Sequence, residues 1–157
     1  MKPIVAGSIL VSVLFLAGCP SKDSSSSSGA SPSGAGPLGN LEATQPVQEA
    51  WIGPDGAQLP MLYYGPQNVR ISAQCRQPNG QLSCDAIRQL RSAPPIQISS
   101  RGGSPSMSMG TKGCLKMNYQ LVTGRNSVGA EDGFCRFPDG SMVASGALEQ
   151  YGMHITE

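Results

Sequence analysis

Five cysteines are the residues of this sequence with the most distinctive chemistry. Cys19 lies near the N-terminus, and an even set of four follows farther along: Cys75, Cys84, Cys114 and Cys135. Cysteine thiols carry lipid, bind metals or pair as disulfides. No C-x-x-C pair is present, which argues against a redox catalyst or a thiolate zinc site. The even set is therefore typical of a disulfide framework in an exported protein.

A short apolar run ends directly before Cys19. It extends from Ile4 to Leu16 behind one basic residue, Lys2, and is too short for a membrane-spanning helix, which needs about 20 apolar residues. Leu16-Ala17-Gly18-Cys19 resembles the lipobox of bacterial lipoprotein signal peptides. The resemblance implies a signal peptide at 1–18, cleavage before Cys19, a diacylglycerol on its thiol and an acyl chain on the new amine. The alternative is an ordinary signal segment with a buried cysteine.

The lipid on Cys19 predicts attachment to a membrane of the cell envelope, because two or more acyl chains make release negligible. Cys19 is followed by Pro20, not by the aspartate associated with inner-membrane retention, so we expect the outer membrane. Residues 19–46 contain a serine run and many Gly and Pro residues, and predict a flexible tether. The remaining residues have few aromatics and predict a thin core that needs covalent support.

The disulfide pairing can be narrowed by loop length. With Cys19 assigned to lipid, the other four cysteines allow three pairings. We favour Cys75–Cys84 and Cys114–Cys135, because each bond closes a compact local unit. Each is expected to contribute roughly 2–3 kcal/mol by constraining the unfolded chain.

Basic residues are concentrated in one segment, although the net charge of the chain is only +1. Between Arg70 and Arg125 there is one acid, Asp85, and the basic residues are Arg70, Arg76, Arg88, Arg91, Arg101, Lys112, Lys116 and Arg125. In an exported protein this segment favours an anionic envelope partner, such as lipid phosphate, lipopolysaccharide or acidic cell-wall groups, and not nucleic acid. The alternative is a solvated face that keeps the protein soluble.

Three turn signatures recur along the chain: Pro54-Asp55-Gly56, Pro78-Asn79-Gly80 and Pro138-Asp139-Gly140. Proline presets the backbone, Asp or Asn tolerates the next position, and glycine takes the left-handed one. Such turns between apolar segments predict hairpins. The candidate strands are Gln58–Tyr64, Val69–Arg76, Ile96–Ser99, Met117–Thr123 and Gly133–Phe137.

Helical signals are fewer. Ser83 is positioned to cap a short helix across Cys84–Arg91, which Pro94-Pro95 would end. A second helix is predicted at Val143–Tyr151. We therefore predict an α+β fold of small disulfide-stapled hairpins with short helices, after the signal peptide and tether.

The segment Ser100–Met109 contains paired glycines and a proline and predicts a linker. It divides a small β-rich unit at 47–100 from a small α+β unit at 101–157. Two segments in these units are alike, Cys75–Gly80 and Cys135–Gly140, and each is followed by a predicted helix. The likeness suggests an internal duplication. The spacing of the cysteines argues against it, because no cysteine lies 21 residues before Cys75 as Cys114 does before Cys135.

Residues 114–151 carry a more specific pattern. Leu121 follows Cys114 by seven residues, and Gly133-Phe134 stands directly before Cys135. The turn motif Phe137, Pro138, Asp139, Gly140 and Ser141 comes next. The pattern resembles a small domain of unknown function that occurs on bacterial envelope lipoproteins and is often labelled a hemolysin. We expect structural roles for the motif: Phe137 ends a strand and covers the Cys114–Cys135 bond, and Ser141 accepts a backbone N–H of the following turn.

Catalytic constellations are not evident in the sequence. The single histidine, His154, lies three residues from the C-terminus, where a general base is poorly held. The adjacent carboxylates of Glu131 and Asp132 diverge and predict a solvated loop. We expect no enzymatic activity, no cofactor and no metal site, and the resemblance brings no catalytic residues.

The sequence thus predicts a lipid-anchored envelope protein with a non-catalytic binding or envelope-maintenance role. One alternative is a periplasmic copper(I)-binding lipoprotein, whose soft ligands would be Met107, Met109, Met117, Met142 and the pair Met153-His154. The other is a cytolysin-related protein, which the family label suggests, although no long amphipathic helix or pore-length strand is predicted.

Overall fold

The computed structural model describes residues 38–101 and 106–157. The predicted signal peptide, Cys19 and most of the predicted tether lie outside these residues, as does the middle of the predicted linker. The strands are β1 (Val47–Ile52), β2 (Gln58–Tyr64), β3 (Val69–Ser72), β4 (Ile96–Ser99), β5 (Gln120–Asn126), β6 (Glu131–Arg136), β7 (Met142–Ala144) and β8 (Met153–Thr156). The helices are α1 (Asp85–Arg91), α2 (Met109–Lys116) and α3 (Ser145–Tyr151), with 3₁₀ turns at Gly65–Gln67 and Ala73–Cys75.

Six strands form a closed antiparallel barrel in the order β1-β2-β3-β7-β6-β5. Two seams join its halves. At one, β1 meets β5 through Trp51–Asn126 and Ile52–Arg125, and at the other, β3 meets β7 through Ile71–Val143. β4 and β8 pair in parallel as a separate two-stranded sheet.

The predicted α+β class is wrong, because the fold is mostly β with three short helices in the described ranges. The prediction treated the hairpins as separate local units, whereas they pair with one another across the chain. The barrel takes β1–β3 from residues 47–100 and β5–β7 from residues 101–157, so the two predicted units share one barrel.

Apolar side chains pack on both surfaces of the barrel wall. Its interior is filled by Trp51, Leu59, Met61, Val122, Phe134, Met142 and Ala144. The rings of Trp51 and Phe134 meet edge to face at 5.2 Å between centroids. A second cluster covers part of the outer surface, where Leu62, Ile71 and Val143 pack against Ile87 and Leu90 of α1 and Leu148 of α3. The helices thus bury the outer barrel wall and do not form a layer of their own.

The predicted turns are confirmed, and they share one geometry. Gly56, Gly80 and Gly140 have φ of 78°, 84° and 80°. In each turn an Asp or Asn side chain accepts the N–H two residues on, at Ala57, Gln81 and Ser141 respectively. A fourth turn of the same kind, Asn126–Ala130, lacks the proline and joins β5 to β6.

The disulfides join Cys75 to Cys84 and Cys114 to Cys135, which is the pairing that the sequence favours. Cys75, Cys114 and Cys135 are fully buried in the outer cluster. The second bond ties helix α2 to strand β6. Because α2 contributes only Gly110, Gly113 and Cys114 as buried residues, this bond is a large part of its attachment.

Helix α2 was not predicted from the sequence: the predicted linker ends at Met109, where the helix begins. Gly110 and Gly113 reduce its helix propensity, yet they allow it to approach α3 and β8 closely. A Cβ added at Gly110 would lie 1.9 Å from the carbonyl oxygen of Ser145. Gly110 and Gly113 therefore weaken the helical pattern in the sequence, and they also allow α2 to pack closely against its neighbours.

Gly110→Ala is expected to lower the free energy of unfolding by about 2 kcal/mol or more, because the methyl group forces α2 away from α3. Gly146→Ala is the matched control on α3, since a Cβ there meets no atom within 4 Å. It should leave stability unchanged or raise it by about 0.5 kcal/mol. Urea unfolding checks both, and equal midpoints for the two variants would contradict the described packing of α2 on α3.

Candidate functional site

The turn motif at 137–141 caps a helix that is distant in the sequence. The Asp85 N–H donates to Asp139 Oδ2 at 2.8 Å, and the Ala86 N–H donates to Ser141 Oγ at 3.0 Å. The Ile87 N–H donates to Cys84 Sγ, so Cys84, and not the predicted Ser83, is the N-cap of α1. The acceptor role expected for Ser141 exists, but its donor lies on α1 and not in the following turn.

Asp139 is held in its ionised form by these contacts. Burial works to raise the pKa of its carboxyl group, but hydrogen bonds from the Asp85 N–H and from the Ser141 hydroxyl and N–H outweigh it. The net result is a pKa below the usual value for aspartate. The motif, which forms the β6–β7 turn, is therefore a structural element that fixes the position of α1. Phe137 is buried in the outer cluster, with its ring 5.1 Å from that of Tyr119.

A second polar cluster, the Arg70 cluster, lies at one end of the barrel. Arg70 Nε donates to Glu49 Oε2 at 2.8 Å, and Arg70 Nη1 lies 3.7 Å from Asp132 Oδ2. The guanidinium stacks over the ring of Tyr63 at 4.1 Å and lies 5.7 Å from the ring of Trp51. Trp51 Nε1 donates to the same oxygen of Glu49. At this end of the barrel, the charges of Arg70, Glu49 and Asp132 thus pair with one another.

Asp132 joins the Arg70 cluster from strand β6. Burial raises the pKa of Asp132, and the Gly133 N–H and the charge of Arg70 offset it only in part. Its neighbour Glu131 pairs instead with Arg125 on the outer surface. The predicted divergence of the two carboxylates is thus present, but they lie on strand β6 and not in a solvated loop.

The charge excess of the Arg70–Arg125 segment is partly neutralised in three dimensions. Four of its basic residues form ion pairs with carboxylates that mostly come from outside the segment: Arg70 with Glu49 and Asp132, Arg88 with Asp85, Arg91 with Glu42, and Arg125 with Glu131. Arg76 donates to the Tyr64 hydroxyl, and Lys116 Nζ donates to the Gln97 carbonyl. For the paired residues the arrangement favours the solvated-face interpretation over an anionic-partner surface.

The candidate copper ligands are divided between two apolar clusters and the surface, where Met107 is exposed. Met142 lies in the barrel interior, whereas Met109, Met117 and Met153 pack against the outer cluster. His154 is exposed on β8. Among the described residues, no group of three or more His, Cys, Asp or Glu side chains is placed to hold a metal ion. Met109, Met117, Met142 and Met153 act here as packing residues.

The seam between β1 and β5 contains a cavity. β1 ends at Ile52, and the chain turns away at Gly53, whose N–H donates to the Ala57 carbonyl at 2.8 Å. β5 continues beyond this point, and the two strands diverge. The wedge between them is a cavity of about 370 Å³, lined in part by Ile52, Pro54 and Thr123.

Sequence reasoning missed both the Arg70 cluster and the seam. The signal that was present is the alternation of Val47, Glu49 and Trp51, which places them on one face of β1. The residues that complete the cluster come from β2, β3 and β6, so only the strand order brings them together.

No helix in the described part of the chain is long and apolar enough to cross a membrane. Comparison with protein-family models, with curated proteins and with solved structures finds no match for this chain. The resemblance of residues 114–151 to a lipoprotein-associated domain therefore stays a proposal that rests on its motif.

Asp139→Asn is expected to remove a pH-dependent part of the stability. Because the pKa of Asp139 is lowered by folding, its contribution is present above the unfolded pKa of about 3.9 and is lost as the pH falls through the lower folded value. The wild type should therefore lose Tm below about pH 4 more steeply than the variant. Asp55→Asn is the control, since Asp55 accepts the Ala57 N–H within its own turn. Equal Tm–pH curves for wild type and Asp139→Asn would refute the cap.

Arg70→Met is expected to lower the free energy of unfolding by about 2 kcal/mol at pH 7, because Glu49 and Asp132 would remain half-buried without a counter-charge. The loss should shrink as the pH falls towards 4, since burial raises the pKa of Asp132 and its protonation removes one of the unpaired charges. Arg88→Met removes an exposed ion pair on α1 and should change stability by less than about 0.5 kcal/mol. Urea unfolding at both pH values distinguishes the two, and similar losses would argue against a special role for the Arg70 cluster.

Proposed function

We propose that this protein is a lipid-anchored protein of the bacterial envelope, with a lipid on Cys19 and the barrel as a non-catalytic binding module. One observation supports this most directly. The four other cysteines pair among themselves, so none of them is left as a partner for Cys19 in the same chain. A thiol that directly follows Leu16-Ala17-Gly18 is then available for a thioether to diacylglycerol.

Both disulfides support an oxidising compartment, where such bonds persist. Residues between Cys19 and Leu38 limit the distance between lipid and barrel to roughly 65 Å, even if the chain were fully extended. Pro20 supports delivery to the outer membrane, because an aspartate at this position is associated with retention at the inner one. The barrel would then be held at the envelope by this lipid.

The binding role is supported by the kind of scaffold. A closed barrel with two disulfides and a polar cluster at its end holds its loops and strand edges in fixed positions. The proposed role is recognition of another envelope component, or maintenance of the envelope through such contacts.

Cys19→Ser is expected to abolish acylation. Expressed in a bacterial host, the wild-type chain should fractionate with outer membranes, and its mass should exceed that of residues 19–157 by a diacylglycerol and an acyl chain. Cys84→Ser is the matched control: it removes a disulfide but should keep the lipid. Intact-protein mass spectrometry and density-gradient fractionation check both. Acylated Cys19→Ser protein, or wild-type protein without lipid, would overturn the anchor.

A further inference from the structure

The hydrogen-bond ladder between β1 and β5 stops before β5 does. The register pairs Ile52 with Arg125, and its continuation would place Pro54 opposite Thr123. Pro54 has no N–H, and it belongs to the turn that leads the chain back into β2. Within the described chain, β5 therefore extends past the end of its β1 ladder.

The direction of the backbone groups on β5 follows from its pairing with β6. The Asn126 N–H donates to the Ala130 carbonyl, so the backbone groups of Asn126, and by alternation those of Gly124 and Val122, face β6. The groups of Thr123 and Leu121 consequently face the seam. In this ladder they have no strand beside them, and Thr123 lines the cavity of about 370 Å³.

An open strand edge binds an extended polypeptide backbone, because its N–H and C=O groups alternate along the edge and pair with those of the added strand. The side chains around the wedge suit a small apolar residue. Ile52 is 53% exposed beside the wedge, and Pro54 and Gly124 also line it. Arg125 and Glu131 form an exposed ion pair at its border.

The size of the wedge distinguishes between two occupants. A stable dimer buries about 800 Å² of each partner, whereas this edge offers one short stretch of strand and one small cavity. The occupant that fits is a short extended segment of another protein, not a second copy of this chain.

We propose that the edge of β5 at Leu121–Thr123 is a β-strand addition site for a short extended segment of a partner polypeptide. The inference rests on the proposed binding role and names the kind of partner. The segment would pair with β5 where β1 has turned away, and a small apolar side chain would occupy the cavity between Ile52 and Thr123.

The first test needs no ligand. In residues 19–157 carrying Cys19→Ser, the amide hydrogens of Thr123 and Leu121 should exchange with solvent at least tenfold faster than those of Val122 and Gly124, which face β6. Amide exchange followed by NMR measures this alternation. Protection of the Thr123 amide equal to that of Gly124 would show that the edge is already occupied and would overturn the proposal.

The second test adds a strand probe, the acetylated and amidated pentapeptide Thr-Val-Thr-Val-Thr, at millimolar concentration. Thr123 exchange should slow at least tenfold, and the same peptide methylated at every backbone nitrogen should have no effect. Thr123→Pro should abolish the shift changes caused by the probe, because it removes the seam-facing donor, whereas Thr123→Val should retain them.

Each outcome of these tests is decisive for the edge. No protection by the probe, or equal binding by the methylated peptide or by Thr123→Pro protein that keeps the wild-type Tm, would overturn strand addition. Because the acylation of Cys19 is measured separately, loss of the anchor and loss of the edge site cannot be confused.

Discussion

The fold depends on how two three-stranded meanders, β1-β2-β3 and β5-β6-β7, are held together, since the strands that join them share few backbone pairs. One seam has two residue pairs and the other has one. The remaining attachment is made by side chains and helices. Ser72 Oγ accepts the Met142 N–H at 2.9 Å across the single-pair seam, and the barrel interior packs residues from both meanders into one cluster. The barrel is therefore closed mainly by side-chain packing in its core, and less by backbone pairing between the two meanders.

The helices reinforce this closure through contacts between the two halves. The β6–β7 turn caps α1 through Asp139 and Ser141, and α1 belongs to the half that contains β1–β3. The Cys114–Cys135 bond acts within the other half, and Cys75–Cys84 fixes the start of α1. A cap at this joint satisfies helix N–H groups and also fixes the relative position of the two meanders. The small core tolerates few strand pairs between the two meanders, because this cap and the disulfides reduce the conformational entropy that each half would otherwise have.

The parts of this structure that the sequence predicts are local. The Pro-Asx-Gly turns, β2, α1 and both disulfides depend on residues close together in the chain, and β2 and β4 have the predicted bounds. The predicted helix at Val143–Tyr151 begins two residues late, because Met142–Ala144 is drawn into the barrel as β7. The overall class failed for the same reason: the pairs that close the barrel and form the second sheet, β1 with β5, β3 with β7 and β4 with β8, join strands far apart in the chain.

The candidate sites show the same limit. The turn motif was recognisable as structural, but its recipient on α1 lies more than fifty residues away. The sequence shows the excess of basic residues between Arg70 and Arg125, but it does not show their ion-pair partners. Glu42, Glu49 and Asp132 lie outside that segment. The open edge of β5 could not be foreseen at all, because it arises from where another strand ends.

The chain order repeats a β-β-β-α-β unit, β1-β2-β3-α1-β4 and then β5-β6-β7-α3-β8, with α2 between them. The starts of β5, β6 and β7 each follow those of β1, β2 and β3 by 73 residues. The likeness of Cys75–Gly80 to Cys135–Gly140 has a spacing of 60 and therefore does not mark equivalent positions between the strands. In the strand register, the turn after β1 corresponds to the turn after β5, and their closing hydrogen bonds match: Gly53 to Ala57 and Asn126 to Ala130. Both strands therefore turn away from the shared seam just past their two common pairs, so an open edge follows from the repeat itself.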